Sequence, residues 1–477
     1  RAYALDFGGG LLRAFTAAPH FGGVAGKNDP EVVRATLGQI RALIHEREAC
    51  FREFGIDSMA EARERARDGE LTPEQAADVL LVVDNWAALL REYEDQADAL
   101  IEIAIAGLHH GVHLIVSASR WAEIRPAIRE AFGTRLELRL NDPMESDFGR
   151  KVAEAVPADA PGRGVTPEGL HFQIALPRLD GRDEASGLSE AVSVLTRELA
   201  RRWQGGVAAP VRVLPERITP EELPEVAGRS ATAVPIGVEE LTLSPVAIDL
   251  PGGDQHLIVM GDPGSGRTSL LRTFVRGLAR QCSPDQARLA VIDFRRGLGD
   301  LADLPLACRM ATRLPQVDEV LGELRELTVE RLRALDASDA GWSGPEVYIV
   351  VDDYDLIAGL PVNPLTVLAE LISQGRDAGM HVILARASGG AARAIVDPVV
   401  SRLAESGSPG LLLSGDPHEG PLLRGVRAEQ LPPGRARLLR RRGRPVLVQL
   451  ALDETSAAGV AVNGGGAVEH ALLSRRD

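Results

Sequence analysis

Apolar residues along this chain fall into two alternating spacings. Short unbroken runs of strand length, such as Val79-Leu80-Leu81-Val82-Val83 and Val347-Tyr348-Ile349-Val350-Val351, are too uniformly apolar for a half-exposed strand. Between them lie stretches with apolar residues three and four positions apart. Val33, Leu37, Ile40 and Ile44 share one helix face, and Val317, Leu321 and Leu324 share another. Buried-type strands alternating with amphipathic helices predict an α/β chain whose mainly parallel sheets carry helices on both faces.

The pattern occurs twice. Leu5-Asp6-Phe7-Gly8-Gly9-Gly10 closes one strand and Ile292-Asp293-Phe294-Arg295-Arg296-Gly297 closes another. Each is followed by a long helix and by a strand ending in acid, at Asp84 or Asp352. A further strand then begins Gly111-Val112-His113 or Gly379-Met380-His381. The interval from Asp84 to His113 is 29 residues, and that from Asp352 to His381 is also 29. Each half closes on Pro-Gly-Arg and an alternating strand, at Pro161 and at Pro433. A spacing kept between matched strand ends marks an internal repeat. We expect a first module over residues 1–178, a linker and helix over 179–204, a second module over 205–456 and a spacer with a terminal peptide over 457–477. The stripe Val192, Leu195, Leu199 is expected to open the second module, and the proline-rich stretch 210–235 to run irregularly over its sheet.

The chemistry concentrates after Leu257-Ile258-Val259-Met260. There Gly261-Asp262-Pro263-Gly264-Ser265-Gly266-Arg267-Thr268-Ser269 separates a buried strand from a helix with Leu270, Leu271, Phe274, Val275 and Leu278 on one face. Glycines in a strand–loop–helix turn let successive amides point inward, and the helix N-terminus adds partial positive charge. This is a phosphate cradle for ATP, with the Thr268 hydroxyl placed for Mg²⁺. Tandem RecA-like P-loop modules are therefore expected. Arg267 stands where lysine is usual; it keeps the charge on a bulkier planar group. In the first half no such loop precedes Asp6, and the equivalent position falls before Arg1.

Asp352 is expected to hold Mg²⁺ through water, and Asp353 to occupy the place of the acid that orients attacking water. Aspartate is one methylene shorter than the usual glutamate, and Asn85, its counterpart beside Asp84, cannot accept a proton. Slow hydrolysis, or none, is expected of the second module, and none by this route from the first; Asp84 is assigned to the first module's nucleotide site.

Net charge narrows the partners. The chain carries −15 over 477 residues, with arginine supplying nearly all the positive charge. Phosphate-tracking proteins usually show the opposite balance, so DNA is an unfavoured partner. Cys50, Cys282 and Cys308 are scattered singly and form neither a metal-spaced pair nor a disulfide framework. No apolar run approaches the roughly 20 residues needed to cross a bilayer, and no secretory signal opens the chain.

The run Gly375-Arg376-Asp377-Ala378-Gly379-Met380-His381 resembles a segment of the FtsK/SpoIIIE-type motor ATPases. With Leu5 to Gly10 and Val83-Asp84-Asn85-Trp86, the paired modules are most similar to the second and third ATPase modules of the EccC ATPases of type VII secretion. The resemblance implies the cytoplasmic-side, soluble part of a membrane-anchored motor that assembles as a hexamer with other secretion-complex subunits. Its substrates would be small helical-hairpin proteins of the WXG type, recognised by a C-terminal tail. It also implies that Arg376 completes a neighbour's nucleotide site in trans. The first module has Leu108 at that offset and should lack the finger. Ala118-Ser119-Arg120 and Ala385-Arg386-Ala387 occupy the family's sensor position in altered form. A DNA translocase of the FtsK type is the alternative, disfavoured by the charge and by residues 85, 267 and 353. After the glycine-rich residues 463–466, Val468, Leu472 and Leu473 form an apolar edge expected to dock in a groove as a substrate-tail peptide.

Overall fold

The computed structural model describes residues 1–225, 230–306, 308–337, 342–360, 362–391 and 397–453. Two compact units result, the first from Arg1 to Val213 and the second from Leu214 onward.

In the first unit, β1 (Ala2–Asp6), β2 (Phe21–Gly26), β3 (Val79–Asp84) and β4 (Val112–Val116) form a parallel sheet in the order β2-β1-β3-β4. The helix Pro30–Phe54 buries Val33, Leu37, Ile40 and Ile44, as its periodicity requires. With Leu100 and Ile103 of the helix Ala97–Ala106, these close over Leu5, Leu81 and Val83. Three short strands, β5 (Glu137–Leu138), β6 (Arg163–Val165) and β7 (His171–Gln173), make a separate antiparallel sheet.

The helix Leu188–Arg202 belongs to this first unit and does not open the second. Thr196 is buried and its hydroxyl donates to the Ala14 carbonyl at 3.1 Å, while Trp203 packs edge-on to His20. Periodicity identified its apolar stripe, but a stripe does not name the surface that receives it.

The second unit is built on β8 (Val234–Glu239), β9 (Pro245–Ile248), β10 (Leu257–Gly261), β11 (Ala287–Ile292), β12 (Cys308–Ala311), β13 (Glu346–Val351), β14 (Met380–Ala387), β15 (Gly410–Leu413), β16 (Arg435–Leu439) and β17 (Val446–Leu450). Their order is β12-β11-β13-β14-β10-β15-β16-β17-β8-β9, parallel as far as β15 and antiparallel beyond. Ile258 and Met260 face one core with the helices Leu314–Ala337 and Pro398–Glu405; Leu257 and Val259 face the other with the helix Arg267–Gln281. A central strand buried on both faces has no polar face to show, which is why it reads as a continuous apolar run. Leu214 and Ile218 of the proline-rich stretch are buried, and Arg435 donates to the carbonyls of Leu214 and Pro215.

The repeat is visible in the topology. β2, β1, β3 and β4 correspond in order to β12, β11, β13 and β14. In the second unit β10 then bridges β14 to β15. Among the described residues of the first unit no strand takes that position, and β5-β6-β7 stand as their own sheet.

Candidate nucleotide-binding site

β10 is fully buried to its last residue, Gly261, and the helix Arg267–Gln281 begins six residues later. Between them the chain makes a tight cradle. The Asp262 amide donates to the Ser414 carbonyl at 2.8 Å, and the Ser388 hydroxyl bonds the Asp262 carboxylate. Gly264 has φ 81° and Gly266 φ 106°, conformations that a side chain would strain. A Cβ on Gly261 would lie 2.5 Å from Ser265 Oγ. Helix geometry leaves the first-turn amides of Arg267, Thr268 and Ser269 without intrahelical acceptors, so they are available to an anion.

The acids arrive from another strand. Thr268 Oγ1 donates to Asp352 Oδ2 at 2.6 Å, and the Asp353 amide donates to Asp352 Oδ1 at 2.9 Å. Asp352 is 1% exposed. Burial pushes its carboxyl above the ordinary value; the Thr268 hydroxyl works against this, and the charges of Asp353 and Asp293 add to it. The sequence put this acid at a strand end beside the loop. In the sheet β14 lies between β13 and β10, so the two ends meet across an intervening strand.

Arg267 is buried and turns towards the acids. Its Nη2 lies 3.0 Å from Asp353 Oδ1, and its Nη1 is 4.0 Å from Asp355 Oδ1. The other Asp353 oxygen, Oδ2, is 3.1 Å from Arg295 Nε. Asp353 sits at φ 48° at the start of the helix Tyr354–Ala358. Among the described residues, Ser265 Oγ, Arg267 Nη1 and Arg386 Nη1 are buried here without a hydrogen-bond partner. Donors kept out of water beside a glycine cradle fit a polyanionic ligand, and the Thr268–Asp352 pair fits a divalent cation's hydration shell.

Other expected residues lie elsewhere. Arg376 is exposed and precedes the start of β14. Because β14 runs parallel to β10, Arg376 lies beyond the opposite ends of these strands from residues 261–268, about 26 Å away along eight residues of strand. His381 is a core residue, bonded to the Gln255 carbonyl at 2.8 Å and to Glu346 at 3.1 Å. In the first unit Asp84 accepts from Ser117 Oγ at 2.5 Å, and Asn85 at φ 65° caps the helix Trp86–Glu92 by accepting from the Ala88 amide. Among the described residues no strand–glycine loop–helix turn like residues 261–268 stands beside Asp84; the turn Gly8-Gly9-Gly10 after β1 does, and a Cβ on Gly8 would lie 1.9 Å from Asp84 Oδ2. Asp6 accepts from the amides of Gly10 and Leu12, and Asp293 from those of Arg295 and Leu298. Val468, Leu472 and Leu473 lie outside the described residues.

The FtsK/SpoIIIE family description matches residues 1–180 and 225–341. The chain belongs to the FtsK/SpoIIIE family. Among its FtsK/SpoIIIE relatives, the chain is 42% identical over 463 residues to the ESX secretion system protein EccC of Thermomonospora curvata, covering 95% of this chain and 35% of that protein. It thus spans about a third of the length of that relative. It is 34% identical to the ESX-1 secretion system protein EccCb1 of Mycolicibacterium smegmatis over 94% of this chain and 79% of that protein. The Thermomonospora curvata structure of EccC ATPases 2 and 3 with a signal sequence peptide aligns with a TM-score of 0.86 at 40% identity, covering 95% of this chain and 82% of that one. The tandem P-loop fold and the likeness to EccC ATPases 2 and 3 therefore stand as expected from the sequence.

Sequence reasoning missed Asp293, Arg295, Asp355 and Ser388 as site residues. Asp293 and Arg295 could have been found, because the repeat already aligned them with Asp6 and Gly8. Asp355 and Ser388 carried no signal of their own; pairing across three strands brings them to the loop.

Proposed function

We propose that this chain is the paired ATPase portion of a type VII secretion motor, working on the cytoplasmic side of a membrane-anchored complex. Its second unit would hold ATP and Mg²⁺ on residues 261–269, with Thr268 and Asp352 ordering the metal shell. A bound triphosphate would supply the charge that the Arg267 guanidinium and the first-turn amides are built to meet. The observation that carries the reading is the Thr268–Asp352 bond beside the glycine cradle, in a chain of which 95% aligns with EccC ATPases 2 and 3.

Hydrolysis would be weak. Asp353 is held between Arg267 and Arg295, so both its carboxylate oxygens are engaged by arginines and neither is turned to an attacking water. The nucleotide would then act chiefly by mass action, stabilising the unit that binds it. Arg376, exposed at the strand ends remote from its own loop, would complete a neighbouring copy's site in a hexamer. Substrates would be small WXG-type helical-hairpin proteins docking through a C-terminal tail, and Val468, Leu472 and Leu473 would mimic that tail. Asp84 would serve a nucleotide in the first unit only with a phosphate loop supplied beside β4.

Nucleotide content after purification tests the central claim. Retained ATP with no salt-sensitive retention of duplex DNA on filters is the expected result. Absence of nucleotide in every condition overturns it, and salt-sensitive DNA retention favours a translocase.

A further inference from the structure

Asp353 is shared by two arginines of different standing. Arg267 belongs to the phosphate loop; Arg295 comes from the turn after β11 and has no place in the loop motif. The Arg295 backbone is fixed, since its amide and that of Leu298 both donate to the buried Asp293 carboxylate at 3.1 and 2.7 Å. Its side chain is 63% exposed, touching Asp353 Oδ2 at its Nε. A fixed base with an exposed charged end leaves the side chain room to change partner.

The internal repeat supplies an independent observation. The position of Arg295 in the first unit is Gly8, where a Cβ would fall 1.9 Å from Asp84 Oδ2. The position of Asp353 is Asn85, whose side chain is spent capping a helix. Acid and cation are thus present together in the unit with the glycine loop and absent together in the other. The pair therefore goes with the glycine loop, in the unit that has a phosphate cradle.

We propose that Arg295 is a second phosphate cation of the site, which moves from Asp353 to the terminal phosphoryl group of a nucleoside triphosphate. The loop amides and first helical turn meet the inner phosphates. Thr268 and Asp352 would hold the hydration shell of a divalent cation, which would offset the charge of the outer phosphates. Asp353 follows Asp352 directly, so Arg295 on its Oδ2 lies next to the acid proposed to order the metal shell, within reach of the outermost phosphate a triphosphate would place there. Arg295 therefore distinguishes ATP from ADP. The inference rests on nucleotide binding by the second unit.

Calorimetric titration of the whole chain with MgATP and MgADP tests it. Arg295→Ala is expected to weaken ATP about tenfold, the loss of one charge-assisted contact, and ADP less than about threefold. Arg295→Lys restores part of the difference. Asp353→Asn, which frees both arginines beforehand, tightens ATP more than ADP and carries the test should the alanine variant fail to fold. Equal losses for both nucleotides, or weaker ATP binding by Asp353→Asn, overturns the role of Arg295 while leaving nucleotide binding intact. An unsubstituted chain that binds neither nucleotide removes the functional reading itself.

Discussion

Asp352, bonded to Thr268, shows what a buried acid does to stability. The folded-state carboxyl of Asp352 is raised above its unfolded value, so the folded protein holds this proton more tightly than the unfolded chain. The stabilising contribution is present below the unfolded value and is lost as pH rises through the folded one. At neutral pH the residue therefore opposes folding. Asp352→Asn keeps an acceptor for the Thr268 hydroxyl and removes the buried charge, at the cost of the bond that Asp352 accepts from the Asp353 amide. It is expected to raise the thermal midpoint of the nucleotide-free chain and to abolish the stabilisation given by MgATP, both readable by differential scanning fluorimetry. Thr268→Ala, which removes a ligand-facing hydroxyl, should weaken MgATP at least about tenfold with little effect in metal-free buffer. Arg267 was legible in the sequence as a departure from lysine, but its pairing with Asp353 was not. Residues 86 apart are brought together only by the order of the strands.

At the scale of elements, the loop between β10 and its helix works because two residues adopt left-handed backbone. Gly266→Ala would force a side chain to φ 106°, with an expected cost of about 1–3 kcal/mol to the second unit and loss of nucleotide binding, measured by urea denaturation and titration. The start of β14 is pinned by His256. Its Nδ1 accepts from the Val382 amide at 3.0 Å while Nε2 faces the Ile372 carbonyl at 3.1 Å, so both nitrogens are committed in the neutral ring. Burial drives its pKa down from 6.5 to about 4, and the nearby His381 charge acts in the same direction. The unfolded chain binds a proton there that the folded one refuses. Stability is then complete above about pH 6.5 and falls as the pH drops towards 4, by about 3 kcal/mol in all. His256→Asn should flatten that slope in urea midpoints measured between pH 7 and 4. Strand and helix identities were readable from spacing alone, because burial on one or two faces leaves a period. Which face each helix covers was not, as Leu188–Arg202 illustrates.

Among the described residues the two units share a four-strand plan, which the second extends through β10 into a single ten-stranded sheet. MgATP at a hundredfold excess over its dissociation constant should stabilise the second unit by about 2.7 kcal/mol. The first unit should move less, and calorimetry with the two transitions resolved checks this. Arg376, exposed beyond the far end of β14, is expected to matter only between copies. Arg376→Ala should lower hydrolysis in an assembled form at least about tenfold, against less than about threefold for ATP affinity of a single chain.

The sequence by itself determined the local matters: strands and helices through their apolar periods, the phosphate loop through glycines that no other residue can replace, and the repeat through equal spacing of acid and histidine. These follow from backbone sterics and burial, which act within a few residues or one element. The tertiary structure alone decided what meets what. It placed β14 between the loop strand and the acid strand, gave the helix Leu188–Arg202 to the first unit, and set Arg267 and Arg295 on either side of Asp353. Such contacts depend on strand order and chain direction across the sheet, and neither leaves a period in the sequence.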